Sequence, residues 1–121
     1  MPNTRQQGSD WENTAESFLR GRGLRTVQKN FHGRFGEVDL IMLDGPTLVF
    51  IEVRFRSNAH YGTGADSVTV TKQRRIISAA RRYLQYEKQH RDRPCRFDVI
   101  SIGREDGRPV MSWIRSAFDA G

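Results

Sequence analysis

Residues 36–56, GEVDLIMLDGPTLVFIEVRFR, decide how this 121-residue chain is read. Two strongly apolar runs flank a tip made of Asp44, Gly45 and Pro46, which predicts a β-hairpin over about 37–43 and 47–55. Pro46 has no N–H to give to a ladder and belongs in the turn. A Gly45-Pro46 tip pairs Asp44 with Thr47 and Leu43 with Leu48, and a wider four-residue tip keeps the Leu43–Leu48 pair. Counting inward, Asp39 falls opposite Glu52, and Glu37 falls opposite Arg54. Directly opposed residues share a face, with Cβ atoms about 4.5–5.5 Å apart. The register thus aims two carboxylates at one point inside strands made of Val, Leu, Ile and Phe.

Two like charges placed so close repel, and one takes up a proton unless a cation lies between them. A divalent metal is one such cation. Mg2+ is characteristically held by one or two carboxylates, several waters and a phosphate. The alternative is neutralisation by salt bridges from Arg34, Arg54, Arg56 or Lys72. The mid-strand placement of both acids, followed by a basic residue, favours the metal. Glu12 is a candidate third carboxylate beside an apolar helical stripe, although its spacing from Ser9 equally suits a capping box.

Outward from the hairpin, residues 1–8 read as a flexible polar tail and 9–121 as a single domain. A first helix is expected from SDWE, with Trp11, Ala15, Phe18 and Leu19 on one stripe and Gly21 and Gly23 at its end. LRTVQKNF predicts a short strand. Residues 56–68 read as a loop rich in Gly and small residues, in which Tyr61 and the YGTGAD stretch would gate the site or touch a ligand, or merely turn a corner. TVTKQRRIISAARRYLQYEKQH is a strong helix, with Thr69 or Thr71 as cap and Ile76, Ile77, Ala80, Tyr83 and Leu84 as its apolar stripe. CRFDVISIG and PVMSWI are strands around a GREDGR turn, and SAFDA reads as a last helical turn. The order α-β-β-β-α-β-β predicts an α/β domain with one mixed sheet.

The net charge of +6 is concentrated. Between Lys72 and Arg96 nine Lys or Arg face two acids, a local excess of +7, leaving the rest near −1. A basic segment on a near-neutral body points to a polyanion, nucleic acid being the commonest, whereas a solvated helix face is the plain alternative. No apolar run approaches the ~18–20 residues of a membrane span. The stretch MPNTRQQGSDWENTAE lacks the apolar core of a signal peptide, so the chain is expected to stay where it is made. The single cysteine, Cys95, excludes an internal disulfide and a multi-cysteine zinc site and reads as a small buried hydrophobe. His32, His60 and His90 show no metal-ligand spacing. A reducing cytoplasm is the expected location. Tyr83, Tyr86 and Phe97 read as core or helix surface rather than as base-stacking platforms, and Trp113 and Phe118 as core.

Asp39 followed by Glu52-Val53-Arg54 at the end of the next strand resembles the PD-(D/E)xK nuclease pattern, whose superfamily has the restriction-endonuclease-like fold. The blocks WENTAESFLRGRGL, GEVDLIMLDGPTLVFIEVRFRS, SVTVTKQRRIISAARRYL and RFDVISI…WIRSAF extend the likeness over about residues 8–119. Together they resemble the bacterial YraN family, described as endonucleases related to Holliday junction resolvases. The resemblance implies Asp39 and Glu52 as metal ligands, Glu12 as a further ligand, and the Val53 carbonyl as completing the shell. It implies Lys72 and Gln73 at a helix start facing the site, and Mg2+ or Mn2+ as cofactor. Asp39, Glu52, Arg54 and Lys72 would be the catalytic set. Arg56, Lys72, Gln73, Arg74, Arg75, Arg81 and Arg82 would hold nucleic acid, most naturally DNA, and by analogy with resolvases a homodimer is an assembly to expect.

One departure matters. The superfamily usually has Lys where this chain has Arg54, and arginine does not lose its proton, so Arg54 is a poor general base. It still suits bidentate contact with a phosphate. Three readings stay open: water activated without Arg54, Lys72 acting in its place, or binding without cutting. The expected function is a metal-dependent DNA endonuclease hydrolysing phosphodiester bonds, with branched, Holliday-junction-like DNA as the candidate substrate. A catalytically silent nucleic-acid-binding module and a protein-interaction domain with a basic docking helix are the alternatives.

Overall fold

The computed structural model describes residues 4–56 and 68–120, with side chains from Asp10 onward. Helix α1 (Thr4–Arg20) leads into β1 (Arg25–His32), β2 (Glu37–Asp44) and β3 (Thr47–Phe55). Helix α2 (Val70–Tyr86) and a short 3-10 turn (Lys88–His90) then precede β4 (Cys95–Glu105) and β5 (Arg108–Phe118). The five strands form one mixed sheet in the order β1-β2-β3-β4-β5. Neighbours are antiparallel except β3 and β4, which are parallel. A parallel pair needs a long crossover, and α2 supplies it. This α/β arrangement is compatible with a small nuclease-like core.

The helices cover opposite faces of the sheet. Ala15 and Leu19 of α1 pack on Leu40, Met42, Val49, Ile51, Ile100 and Ile102. Ile76, Ala79, Ala80 and Tyr83 of α2 pack on Val38, Ile41, Leu43, Leu48, Phe50, Phe97 and Val99. The central strands are therefore buried on both sides, which is why β2 and β3 are continuous apolar runs rather than alternating ones. Among the described residues no helix is long and apolar enough to cross a membrane.

Several expectations change on contact with the fold. The first helix starts at Thr4, so residues 4–8 of the stretch read as tail belong to it, and Ser9 lies inside the helix instead of capping it. The Arg and Gln residues of that stretch are good helix formers, which propagate the helix backward. Thr69 does cap α2: its hydroxyl accepts the Lys72 N–H at 3.1 Å. SAFDA is not helical, because β5 runs on to Phe118 and Ser116 takes a left-handed φ of 49°. Cys95 is exposed rather than buried, since it stands at the first rung of the β3–β4 ladder, opposite Leu48. The Tyr61 loop lies outside the described residues.

One buried acid belongs to the scaffold. Asp98 is fully buried in β4 and accepts from Trp113 Nε1 at 2.9 Å, the Ser116 N–H at 2.9 Å and Arg96 Nε at 3.1 Å. These bonds pin the outer half of β5 where the β4–β5 register shifts between Phe97 and Val99. Replacing Asp98 with Ala removes the acceptor of three part-buried donors and should destabilise the chain by about 2–4 kcal/mol in a urea melt. A loss within experimental error would show that β5 is held by its ladder alone.

Candidate functional site

The hairpin has the anticipated tip, with Asp44 paired to Thr47, Leu43 to Leu48, and Gly45 at a φ of 59°. The ladder then runs to Leu40–Ile51 and stops one rung short of Asp39 and Glu52. Beyond it a side chain takes over: the Val53 N–H donates to Asp39 Oδ2 at 2.8 Å. The anticipated Glu37–Arg54 rung is not formed; Glu37 pairs with His32 across β1, and Arg54 with Ser101 across β4.

At this point the alternation of faces also slips. In β2, Val38 packs under α2 while Leu40 packs under α1, although residues two apart normally share a face. The partner strand does the same: Lys29 reaches Glu16 and Asn13 on α1, whereas Phe31 packs under α2. Between them, in the row of Asp39, stands Asn30 with a left-handed φ of 53°. Both strands switch faces across the Asn30–Asp39 row. Asp39 therefore emerges where groups from both helices can reach it.

They do reach it. Glu12 of α1 comes close enough to Asp39 and Asn30 for its carboxyl to feel both. Glu52 of β3 contacts Asp39, and Lys72 Nζ from α2 lies 3.4 Å from Glu52 Oε1. A cleft of about 260 Å³ is lined by Glu12, Glu37, Asp39, Glu52, Val53 and Lys72, with Trp11 and Phe55 along one rim. Trp11 stacks on Phe55 at 4.5 Å, and the Arg104 guanidinium lies 5.4 Å from the Trp11 ring centre.

The acids are uncomfortable there. Asp39 is 9 % exposed and Glu52 5 %, and Glu52 Oε2 is buried without a hydrogen-bond partner among the described residues. Burial, then the charge of Asp39, pushes the Glu52 carboxyl up to about 8, against the opposing pull of Lys72. Burial and Asp39 likewise raise Glu12 to about 7. Asp39 is itself raised by burial, although the Val53 N–H pulls the other way. Among the described residues no group of three or more His, Cys, Asp and Glu is set as a metal cage. The donor set nevertheless fits a hard divalent cation: two buried carboxylates of neighbouring strands, all oxygen, with one oxygen unmatched.

The other anticipated residues spread over the neighbouring surface. Arg75 borders a hollow that shares Glu37 and Lys72 with the cleft, and Arg74, Arg81 and Arg82 line a further hollow on α2. Gln73 turns away, its Nε2 donating to the Val68 carbonyl at 3.0 Å. Arg54 is not among the described residues lining the cleft, where Lys72 is the cation beside Glu52. Arg56 closes β3, its N–H donating to the Ile102 carbonyl at 2.7 Å. Tyr83 and Phe97 are buried, as core residues, and Tyr86 is exposed on the helix surface against Arg82. Asn30, Phe55 and the rim position of Trp11 escaped notice; an Asn in mid-strand, where Asn is disfavoured, was the available signal for the first.

The carboxyls set a pH dependence. Glu52 and Glu12 hold protons in the folded chain at pH values where the unfolded chain has released them. The folded state then binds more protons between about pH 4.5 and 8, and stability falls as pH rises through that window. The melting temperature should drop from pH 5 to pH 8, and Glu52→Gln should remove most of that slope. A flat wild-type profile would contradict the burial of Glu52 as an acid.

The model of the uncharacterised protein family UPF0102 matches residues 11–102. A UPF0102 protein of Nitrosococcus oceani is 47 % identical over 114 residues, covering 94 % of this chain and 92 % of that one. One of Nitrosospira multiformis is 48 % identical over 116 residues, 95 % of this chain and 94 % of the relative. One of Pseudomonas aeruginosa is 44 % identical over 119 residues, 97 % and 95 %. The matched span includes Glu12, Asp39, Glu52 and Lys72.

Proposed function

This chain belongs to the uncharacterised protein family UPF0102, and from its cleft we propose a metal-dependent DNA endonuclease that hydrolyses phosphodiester bonds. The observation that carries the reading is the pair Asp39 and Glu52. They are buried, in contact and short of cations, in a cleft that opens beside the arginine-rich face of α2. The resemblance of the same residues to the PD-(D/E)xK pattern and to the YraN family supports it, and branched DNA is the substrate that this likeness suggests.

Asp39 and Glu52 would hold Mg2+ or Mn2+, with Glu12 and the Val53 carbonyl as further donors. Such an ion polarises a phosphoryl oxygen and acidifies a water. The chain itself contributes position and charge. The Val53 N–H orients Asp39, so one carboxylate enters the site already aimed. Lys72 restrains Glu52 and presents an ammonium where negative charge builds on the phosphate. The guanidinium groups of Arg74, Arg75, Arg81 and Arg82 would bind phosphates on either side of the reacting bond.

Purified protein incubated with Mg2+ or Mn2+ and linear, single-stranded and four-way DNA should cut at least one of them. Asp39→Asn and Glu52→Gln should each lower cleavage by about 100-fold or more, and chelator should abolish it. Cleavage that survives both substitutions would defeat the proposal. Arg54 in the place of the usual lysine supports a second reading, a silent nucleic-acid-binding module. It predicts salt-sensitive binding indifferent to chelator, with no metal bound in calorimetry.

A further inference from the structure

The loop joining β1 to β2 holds Phe35, the most exposed large apolar side chain among the described residues at 65 %. A lone exposed phenylalanine is ordinary, but this one is mounted. The Gly33 N–H donates to the Gly36 carbonyl at 2.7 Å and closes the loop. The loop backbone is pressed onto α2: a Cβ on Gly36 would stand 2.5 Å from the Arg75 carbonyl oxygen, and one on Gly33 3.1 Å from Ala79 Cα. At Gly36 only glycine allows that approach, at Gly33 a Cβ would be tight, and the ring of Phe35 is left projecting outward.

Phe35 stands where two basic hollows meet. One, of about 430 Å³, is lined by Arg34, Arg74, Arg81 and Arg82. The other, of about 350 Å³, is lined by His32, Arg75 and Lys72 and shares Lys72 and Glu37 with the carboxylate cleft. Cleft, second hollow and arginine hollow thus form one continuous track with an aromatic ring at its middle. A second copy of the chain would bring its own arginines against these four, and an apolar partner would bury their charge unmatched. A nucleic-acid strand supplies phosphates for the guanidinium groups and a flat base for the ring. In a continuous duplex the base faces are already stacked on one another, so a base there reaches Phe35 only at the cost of unstacking, whereas an unpaired base offers its face freely.

We propose that this track binds a DNA strand carrying unpaired bases, one of them stacked on Phe35, so that the cleft works beside a single-stranded segment rather than within continuous duplex. What happens at the cleft rests on the endonuclease reading; the binding along the track does not. Fluorescence anisotropy in chelator, with the full chain at low salt, compares a single-stranded oligonucleotide with the same sequence as blunt duplex. The single strand should bind tighter. Phe35→Ala should weaken it about tenfold while leaving duplex binding nearly unchanged, and Phe35→Trp should restore it. Phe35→Ala should leave the melting temperature unaltered, since the ring is exposed. Arg81→Gln with Arg82→Gln should weaken both ligands and flatten the salt dependence.

Equal affinity for the two ligands overturns the proposal, as does a Phe35→Ala loss that is absent or the same for both. Binding as expected without metal-dependent cleavage overturns the endonuclease reading and leaves the track. Cleavage of blunt duplex that ignores Phe35→Ala does the reverse.

Discussion

The bond from the Val53 N–H to Asp39 Oδ2 is the contact on which the rest of the site depends. The β2–β3 ladder ends at Leu40–Ile51, and a buried backbone donor beyond that rung must find another acceptor or cost about 1–3 kcal/mol. A carboxylate fills the role. The strands can then part without leaving an orphan, and the acid that permits this is held in one orientation. Glu52, the residue before Val53, keeps the alternation of β3 and stays on the α2 side, where Lys72 meets it. Asp39, at the slip in alternation, also meets Glu12 from α1. One side-chain hydrogen bond thus lets both layers of the fold contribute to a single cleft.

Two buried acids show how differently the same residue class is used. Asp98 is enclosed by an indole, a backbone amide and a guanidinium, and its negative charge is fully answered within the scaffold. Glu52 is nearly as deeply placed, but it shares its surroundings with Asp39 and Glu12 and, among the described residues, has one ammonium and keeps one oxygen unmatched. Its proton affinity rises accordingly. An acid that stabilises a fold is saturated with donors, whereas an acid kept short of them is available to something outside the chain.

Helix α2 joins the two halves of the molecule's chemistry. Its inner face carries Ile76, Ala79, Ala80 and Tyr83 into the core, and its outer face carries Arg74, Arg81 and Arg82 into solvent. Its first turn places Lys72 at the cleft, fixed by the Thr69 cap. Because Gly33 and Gly36 let the β1–β2 loop lie against this helix, the loop and the basic face form one surface.

Much of this was legible in the linear chain, for identifiable reasons. Pro46 excludes itself from a ladder, so the hairpin tip and its first rungs follow from residue chemistry alone, and the apolar runs on both sides announce strands buried on two faces. The same local rules brought Asp39 and Glu52 together and put the arginines on one side of α2. What local rules do not contain is the end of the ladder, the left-handed Asn30, and the slip of faces that draws Glu12 and Lys72 to opposite sides of one cleft. Nor do they contain Phe35, which reads as a loop residue until α2 is laid beneath it, or Ser116, whose helix-like context yields to the pull of Asp98. Spacing along the chain determined which acids share a strand pair. Packing of two helices on one twisted sheet decided which of their oxygens stay unmatched, because satisfaction of a buried charge depends on every element that closes around it.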